Sequence, residues 1–255
     1  MAVGIAGLID QNPIMIPFKP ISDDDPALEH SPMLKAALLT LGYIEANGPI
    51  ELTPSKALKR YFVQWAAEAF AWPHYTAPEL YEMNKVINEQ DFPPLVMLHD
   101  VLIQTKLVRH YRGTMQITKL GRERSKKPGE LWAFMAQHLL FRHDHSQYTR
   151  FDERPMGNWE IFLNVINVEV HEGASEGRLC SVLYGGEEEN FRRHSYMVAF
   201  AFYAHVLRPL CWAGLLAEHR TGTGLNQREL FTKTPLWAAT LKLDTDRHLT
   251  QSTRH

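Results

Sequence analysis

Residues 98–127 read LHDVLIQTKLVRHYRGTMQITKLGRERSKK, and their spacing sets the expected architecture. Leu98, Leu102 and Ile103 recur at helical intervals, Leu107-Val108 opens an extended run, Gly113 sits at a turn, and Ile117-Thr118 closes a second run. Thr118 is placed to cap the next helix, which reaches Lys127 before Pro128-Gly129 interrupts it. The pattern predicts a helix, a two-stranded ribbon and a closing helix.

The same order echoes on both sides. Aligned without gaps at the helix-to-strand junction, Leu34, Leu38, Tyr43 and Ile44 match Leu98, Leu102, Leu107 and Val108, which match Val206, Leu210, Leu215 and Leu216. The second runs align as Leu52-Thr53, Ile117-Thr118 and Phe231-Thr232, with a longer third hairpin containing TGTGLNQREL. Unequal separations argue for related packing units within one chain rather than a solenoid of fixed period.

The flanking sequence fills in around these units. Ser31-Pro32 reads as a helix start and Gly42 as its end, followed by a hairpin turned at Asn47-Gly48. Thr53-Pro54 opens a helix carrying Leu58, Phe62, Trp65 and Phe70; a polar helix follows over residues 77–90, and amphipathic helices over 130–141 and 159–170. After Gly185-Gly186, Glu187 to Glu189 mark the first turn of a helix expected to run to about His205. The run from Tyr196 to Leu216 has membrane-like hydropathy, but His205, Arg208 and Pro209 are costly in lipid, so it reads as two buried helices meeting at Pro209. Its aromatic residues, like those of the 54–70 helix, are expected in the core.

The resulting organisation is an extended arm over 1–30 that packs only locally, an N-terminal half over 31–142, and a polar linker over 143–157. A C-terminal half over 158–243 and a disordered tail over 244–255 complete it. With 45% hydrophobic and 22% charged residues in 255, the composition is that of a globular protein. Cys180 and Cys211 form neither a disulfide framework nor a zinc-ligand spacing, and the N-terminus lacks the pattern of a secretory signal, so a cytoplasmic protein is expected.

Charge is unevenly spread. Residues 106–127 set Lys106, Arg109, Arg112, Lys119, Arg122, Arg124, Lys126 and Lys127 against Glu123 alone, giving +7 where the remainder carries −9. One strongly basic module sits on an otherwise acidic chain.

The stretch DFPPLVMLHDVLIQTKLVRHYRGTMQITKLGRE resembles the winged-helix superfamily. Over residues 31–243, the succession LTLGYIEANGPIELT, DFPPL, the Gly113 ribbon and LFTKTPLW is also similar to a family of uncharacterised bacterial proteins. The resemblance implies a mainly α fold of tandem winged-helix-like units, helices carrying short β-hairpin wings, and it supplies no catalytic residue.

In DNA-binding proteins of this kind the helix before the ribbon enters the major groove and the ribbon touches backbone. The expected nucleic-acid contacts are Lys106, Arg109, Tyr111, Arg112, Lys119, Arg122, Arg124, Lys126 and Lys127. The helix itself offers only His99, Gln104 and Lys106 for base reading, so contact should be with the backbone. The competing expectation is a protein-interaction scaffold that uses the acidic 79–91 helix or the 187–189 cluster. His138, His143 and His145 are metal-competent but lack the fixed spacing of a zinc enzyme, and neither a metal nor another cofactor is expected. Nucleophile-elbow and phosphate-loop patterns are absent, TGTG at 221–224 reads as a hairpin tip, and an enzyme ranks third.

Overall fold

The computed structural model describes residues 18–148, 154–193, 195–222 and 228–252. The first part of the expected arm, part of the linker, the 223–227 stretch of the TGTG hairpin and the last residues of the tail lie outside the described residues. The fold is mainly helical with two small antiparallel sheets.

Ser31 caps α1 (Pro32–Asn47) through its Oγ, which accepts the Leu34 N–H at 3.1 Å. Gly42 does not end this helix: nothing crowds it, and one glycine costs an exposed helix only about 1 kcal/mol. The stop is Gly48, at φ +87°, so Asn47-Gly48 is a helix terminus and not a hairpin turn. The short strand β1 (Ile50–Glu51) follows. Thr53 organises a loop by accepting the Ala57 N–H, and α2 (Arg60–Phe70) starts later than Thr53-Pro54 suggests. The expected 77–90 helix is shorter, α3 (Ala77–Met83), followed by a separate 3₁₀ turn at Glu89–Asp91.

The decisive stretch folds in the order its spacing predicts, with α4 (Pro93–Gln104), β2 (Val108–Tyr111), β3 (Thr114–Ile117) and α5 (Lys119–Arg124), but α5 stops at Arg124 rather than reaching Lys127, and Pro128-Gly129 opens the next helix. The sheet order is β1-β3-β2, which leaves β2 at an edge. Helix α6 (Pro128–Phe141) closes the first half, and a 3₁₀ turn at His145–Tyr148 follows.

In the second half, α7 (Trp159–Glu169), α8 (Glu176–Tyr184) and α9 (Glu188–Arg193) precede α10 (Tyr196–Phe202). The helix expected from Glu187 to His205 is therefore divided between α9 and α10. A π-helical turn, Tyr203–Leu207, links α10 to α11 (Arg208–Ala213) without a break in helical dihedrals. Proline clashes with the carbonyl four residues back, and the wider π turn directly before Pro209 relieves that clash. Strands β4 (Leu216–Thr221) and β5 (Arg228–Lys233) then pair, and α12 (Pro235–Thr240) and α13 (Asp246–Ser252) follow.

Two of the three sequence echoes share one local geometry. Leu107 N–H donates to the Leu102 carbonyl and Leu215 N–H to that of Leu210, at 3.0 and 2.9 Å. Thr118 Oγ1 donates to the Lys106 carbonyl at 2.8 Å, and Thr234 Oγ1 to that of Gly214 at 2.6 Å. Lys106 and Gly214 are both left-handed, at φ +60° and +86°. The partner of Thr118 is thus Thr234, two residues beyond the expected Thr232. The first copy lacks this joint, because Tyr43 and Ile44 lie inside α1.

The halves share one continuous apolar core. Trp132 Nε1–H in α6 donates to the Ala213 carbonyl at 2.8 Å, and Trp72 meets Trp212 edge-on at 6.2 Å. Of the aromatic residues expected in the core, Phe62, Phe70, Phe202 and Trp212 are buried, while Phe200 is exposed. Residues 18–30 do not pack only locally: Lys19 N–H donates to the Thr240 carbonyl, and Asp23 accepts the Gly129 N–H. At the other end, residues 245–252 are not a free tail, since Asn167 donates to Thr245 and Asp246 at 2.9 Å and α13 follows. His143 and His145, assigned to a polar linker, are buried. Among the described residues, no helix is long and apolar enough to cross a membrane.

Candidate nucleic-acid interface

Strand alternation divides the β2–β3 ribbon into two faces. Val108, Met115 and Ile117 turn inward and are buried, whereas Arg109 pairs with Gln116 and Tyr111 with Thr114 on the outer face. Tyr111 is 45% exposed, with the guanidinium carbons of Arg109 and Arg112 at 5.4 and 5.1 Å from its ring centre. These are cation–π distances, and they present an aromatic ring between two positive charges. Beside them Arg109, Gln116, Lys119 and Arg122 line a hollow of about 330 Å³ against Ile44 and Pro49.

The nine predicted residues do not form one uniform patch. Arg109, Tyr111 and Arg112 gather on the ribbon, with Lys119 and Arg122 at the start of α5. Arg124 and Lys127 instead turn to Glu130, at 3.3 and 2.8 Å, and the Arg124 guanidinium also covers Phe134. Arg122 lies 3.9 Å from Glu45 and Lys119 lies 3.8 Å from Glu123, pairs exposed enough for water and salt to weaken them. Among the described residues, no carboxylate bridges Lys106, Arg109, Arg112 or Lys126.

Helix α4 is not free to read bases. Its Leu95, Met97, Leu98, Val101 and Leu102 are buried in the core. Gln104 accepts from His138 and His143, at 2.8 and 3.0 Å, and His99 is itself buried. Of the three expected base readers only Lys106 is left, and it sits at the left-handed joint.

His99 belongs to a chain that sequence reasoning missed. Its Nδ1–H donates to Glu89 at 2.6 Å, while the second Glu89 oxygen accepts the Leu58 N–H at 2.6 Å. His99 Nε2 meets His110 Nε2 at 2.8 Å, and His110 opens to solvent from the inward register of β2. Burial, the His99 ring and the Lys56 charge each push the His110 pKa below its ordinary value. A signal existed: with Val108 inward, strand parity also turns His110 toward α4.

The metal-competent histidines, at which no metal is expected, are engaged in hydrogen bonds. His138 and His143 share the Gln104 amide oxygen, and Gln147 donates to the other nitrogen of His143 at 3.2 Å. His143 and His145 lie in a turn rather than on one strand face, and His145 Nε2–H donates to the Leu139 carbonyl at 2.7 Å. Burial lowers the His143 pKa to about 4 and that of His145 to about 3. Among the described residues, no three His, Cys, Asp or Glu side chains form a metal-holding group.

Residues 29–130 match the Y4jL N-terminal domain, and residues 149–235 match the y4jL C-terminal domain. A protein of Sinorhizobium fredii (strain NBRC 101917 / NGR234), "Uncharacterized protein y4jL", is 35% identical over 178 residues, spanning 69% of this chain and 81% of the relative. The chain belongs to the y4jL family. The first y4jL domain contains the whole basic ribbon, and the second contains the Leu210–Leu215 joint and both strands β4 and β5. No solved structure matches the chain.

Proposed function

We propose that this y4jL-family protein is a cytoplasmic, non-enzymatic binding protein that contacts nucleic-acid backbone through the outer face of the β2–β3 ribbon. In this reading α4 with its ribbon is a winged-helix-like unit, and the α11 joint with β4–β5 is a second. The observation that carries it is the Arg109–Tyr111–Arg112 cluster, exposed and without a carboxylate bridge among the described residues, beside Lys119 and Arg122. Guanidinium groups bind phosphate oxygens, and an exposed aromatic ring stacks on unpaired bases. The burial of α4 removes groove reading, so binding is expected to be indifferent to sequence and sensitive to salt.

Fluorescence anisotropy with a labelled duplex and a labelled single strand tests this reading. If four phosphates are neutralised, log affinity falls with log salt at a slope of about −3.6 on the duplex. The double change Arg109→Glu and Arg112→Glu removes binding while circular dichroism stays unchanged. A flat salt response, or unaltered binding by that variant, overturns the proposal.

A protein-interaction scaffold is the second reading, favoured by exposed Tyr81, Met83 and Val86. Its expected acidic helix is weakened as a docking face, since Glu79 caps Thr76, Asp91 caps Asn88 and Glu89 is buried against His99. Co-purification of a stoichiometric protein partner that survives the double charge reversal would favour it.

A further inference from the structure

We propose that the His99–His110 pair is a binding site for a divalent metal ion of the zinc class. Two imidazole nitrogens at 2.8 Å cannot both present a proton, nor both a lone pair, so one proton lies between them. A metal ion accepts both lone pairs and takes that proton's place, and the displaced proton passes through solvent to Nδ1 of His110, which leaves both rings neutral.

Three features prepare the pair for this. The first is Glu89: it takes the Nδ1–H of His99, which fixes the tautomer with the Nε2 lone pair directed at His110. A carboxylate behind a ligating imidazole also raises its basicity and sets its orientation. Glu89 is 4% exposed, and its other oxygen is held by the Leu58 N–H, so it supports His99 without competing for the ion. The second is the scaffold, since the two imidazoles stand on a buried helix and a paired strand rather than on loops. The third is access, because His110 faces solvent and water can complete the coordination sphere.

The geometry asks for little movement. Zinc–nitrogen bonds of about 2.1 Å in a tetrahedral sphere separate two ligand nitrogens by about 3.4 Å. The exposed His110 ring withdraws by roughly half an ångström to admit the ion. Imidazole donors favour zinc, copper and nickel over magnesium and calcium. No third protein ligand joins among the described residues, so the site supplies two ligands and solvent the rest. The site lies on the inward face of the ribbon and does not depend on the nucleic-acid reading.

Isothermal titration of the metal-free full-length protein with zinc chloride near neutral pH tests it. The expected result is one ion per chain. His110→Gln, which leaves the Glu89–His99 pair intact, lowers affinity more than about 100-fold, beyond the 10- to 100-fold loss expected for Glu89→Gln. His143→Gln leaves binding unchanged. Retained stoichiometric binding in His110→Gln, or no heat of binding by the unaltered protein at micromolar zinc, overturns the proposal and leaves the pair as a shared-proton hydrogen bond.

Discussion

His145 shows how far one side chain's environment departs from what its neighbours in sequence suggest. It lies in FRHDHS, a polar run, yet it is 4% exposed and donates to the Leu139 carbonyl. Burial disfavours its charged form, so the folded protein holds it neutral down to a pKa of about 3. The unfolded chain takes up that proton near pH 6.5. The stabilising contribution is therefore full above about pH 6.5 and is lost progressively as pH falls toward the folded value. Between about pH 6.5 and 5 the cost is roughly 1–2 kcal/mol for His145 and nearly the same for His143, because both folded values lie below that window. Urea midpoints measured across that range should fall for the unaltered protein and fall less for His145→Gln, whose starting stability is lower. Equal slopes for the two proteins would show that this histidine is not the titrating group.

At the scale of elements, the joint between helix and ribbon is the unit that repeats. Thr118 does two things there: its Oγ1 donates to the Lys106 carbonyl and accepts the Gly121 N–H at 3.0 Å, tying the end of α4 to the start of α5. Thr118→Val keeps the shape and removes both bonds, with an expected loss of about 1–2 kcal/mol. Gly121 lies so close to this joint that an added Cβ would stand 2.2 Å from the Leu107 carbonyl oxygen. Gly121→Ala should cost about 1–3 kcal/mol through displaced backbone, with a visible drop in melting temperature. An unchanged melting temperature in both variants would mean that the joint contributes nothing. Leu102, Leu107, Leu210 and Leu215 revealed the joint in sequence because the left-handed step between helix and strand fixes their spacing. Thr234 was misplaced by two residues because the longer β4–β5 hairpin hides the register of its returning strand. The Glu89–His99–His110 chain was hidden for a different reason: it closes across a turn and a strand reversal, which one-dimensional periodicity does not encode.

Over the whole molecule, the two halves lean on each other through α6 and α11. Trp132 reaches across to the Ala213 carbonyl, and Gly214 sits where a Cβ would come within 2.5 Å of the His30 carbonyl oxygen. Trp132→Phe leaves that buried carbonyl unpaired, at a cost of about 1–3 kcal/mol. Because the core is continuous, calorimetry should show one cooperative transition that moves down in temperature as a unit. Two separated transitions, with only one displaced, would instead mark the halves as independent. The edge position of β2 acts between molecules as well as within one. An edge strand offers its unpaired backbone to any neighbouring chain, and charged side chains along it deter that pairing. Arg109 and Arg112 stand on and just beyond this strand, so neutral replacements there would expose a template for self-association that charge reversal to Glu keeps guarded.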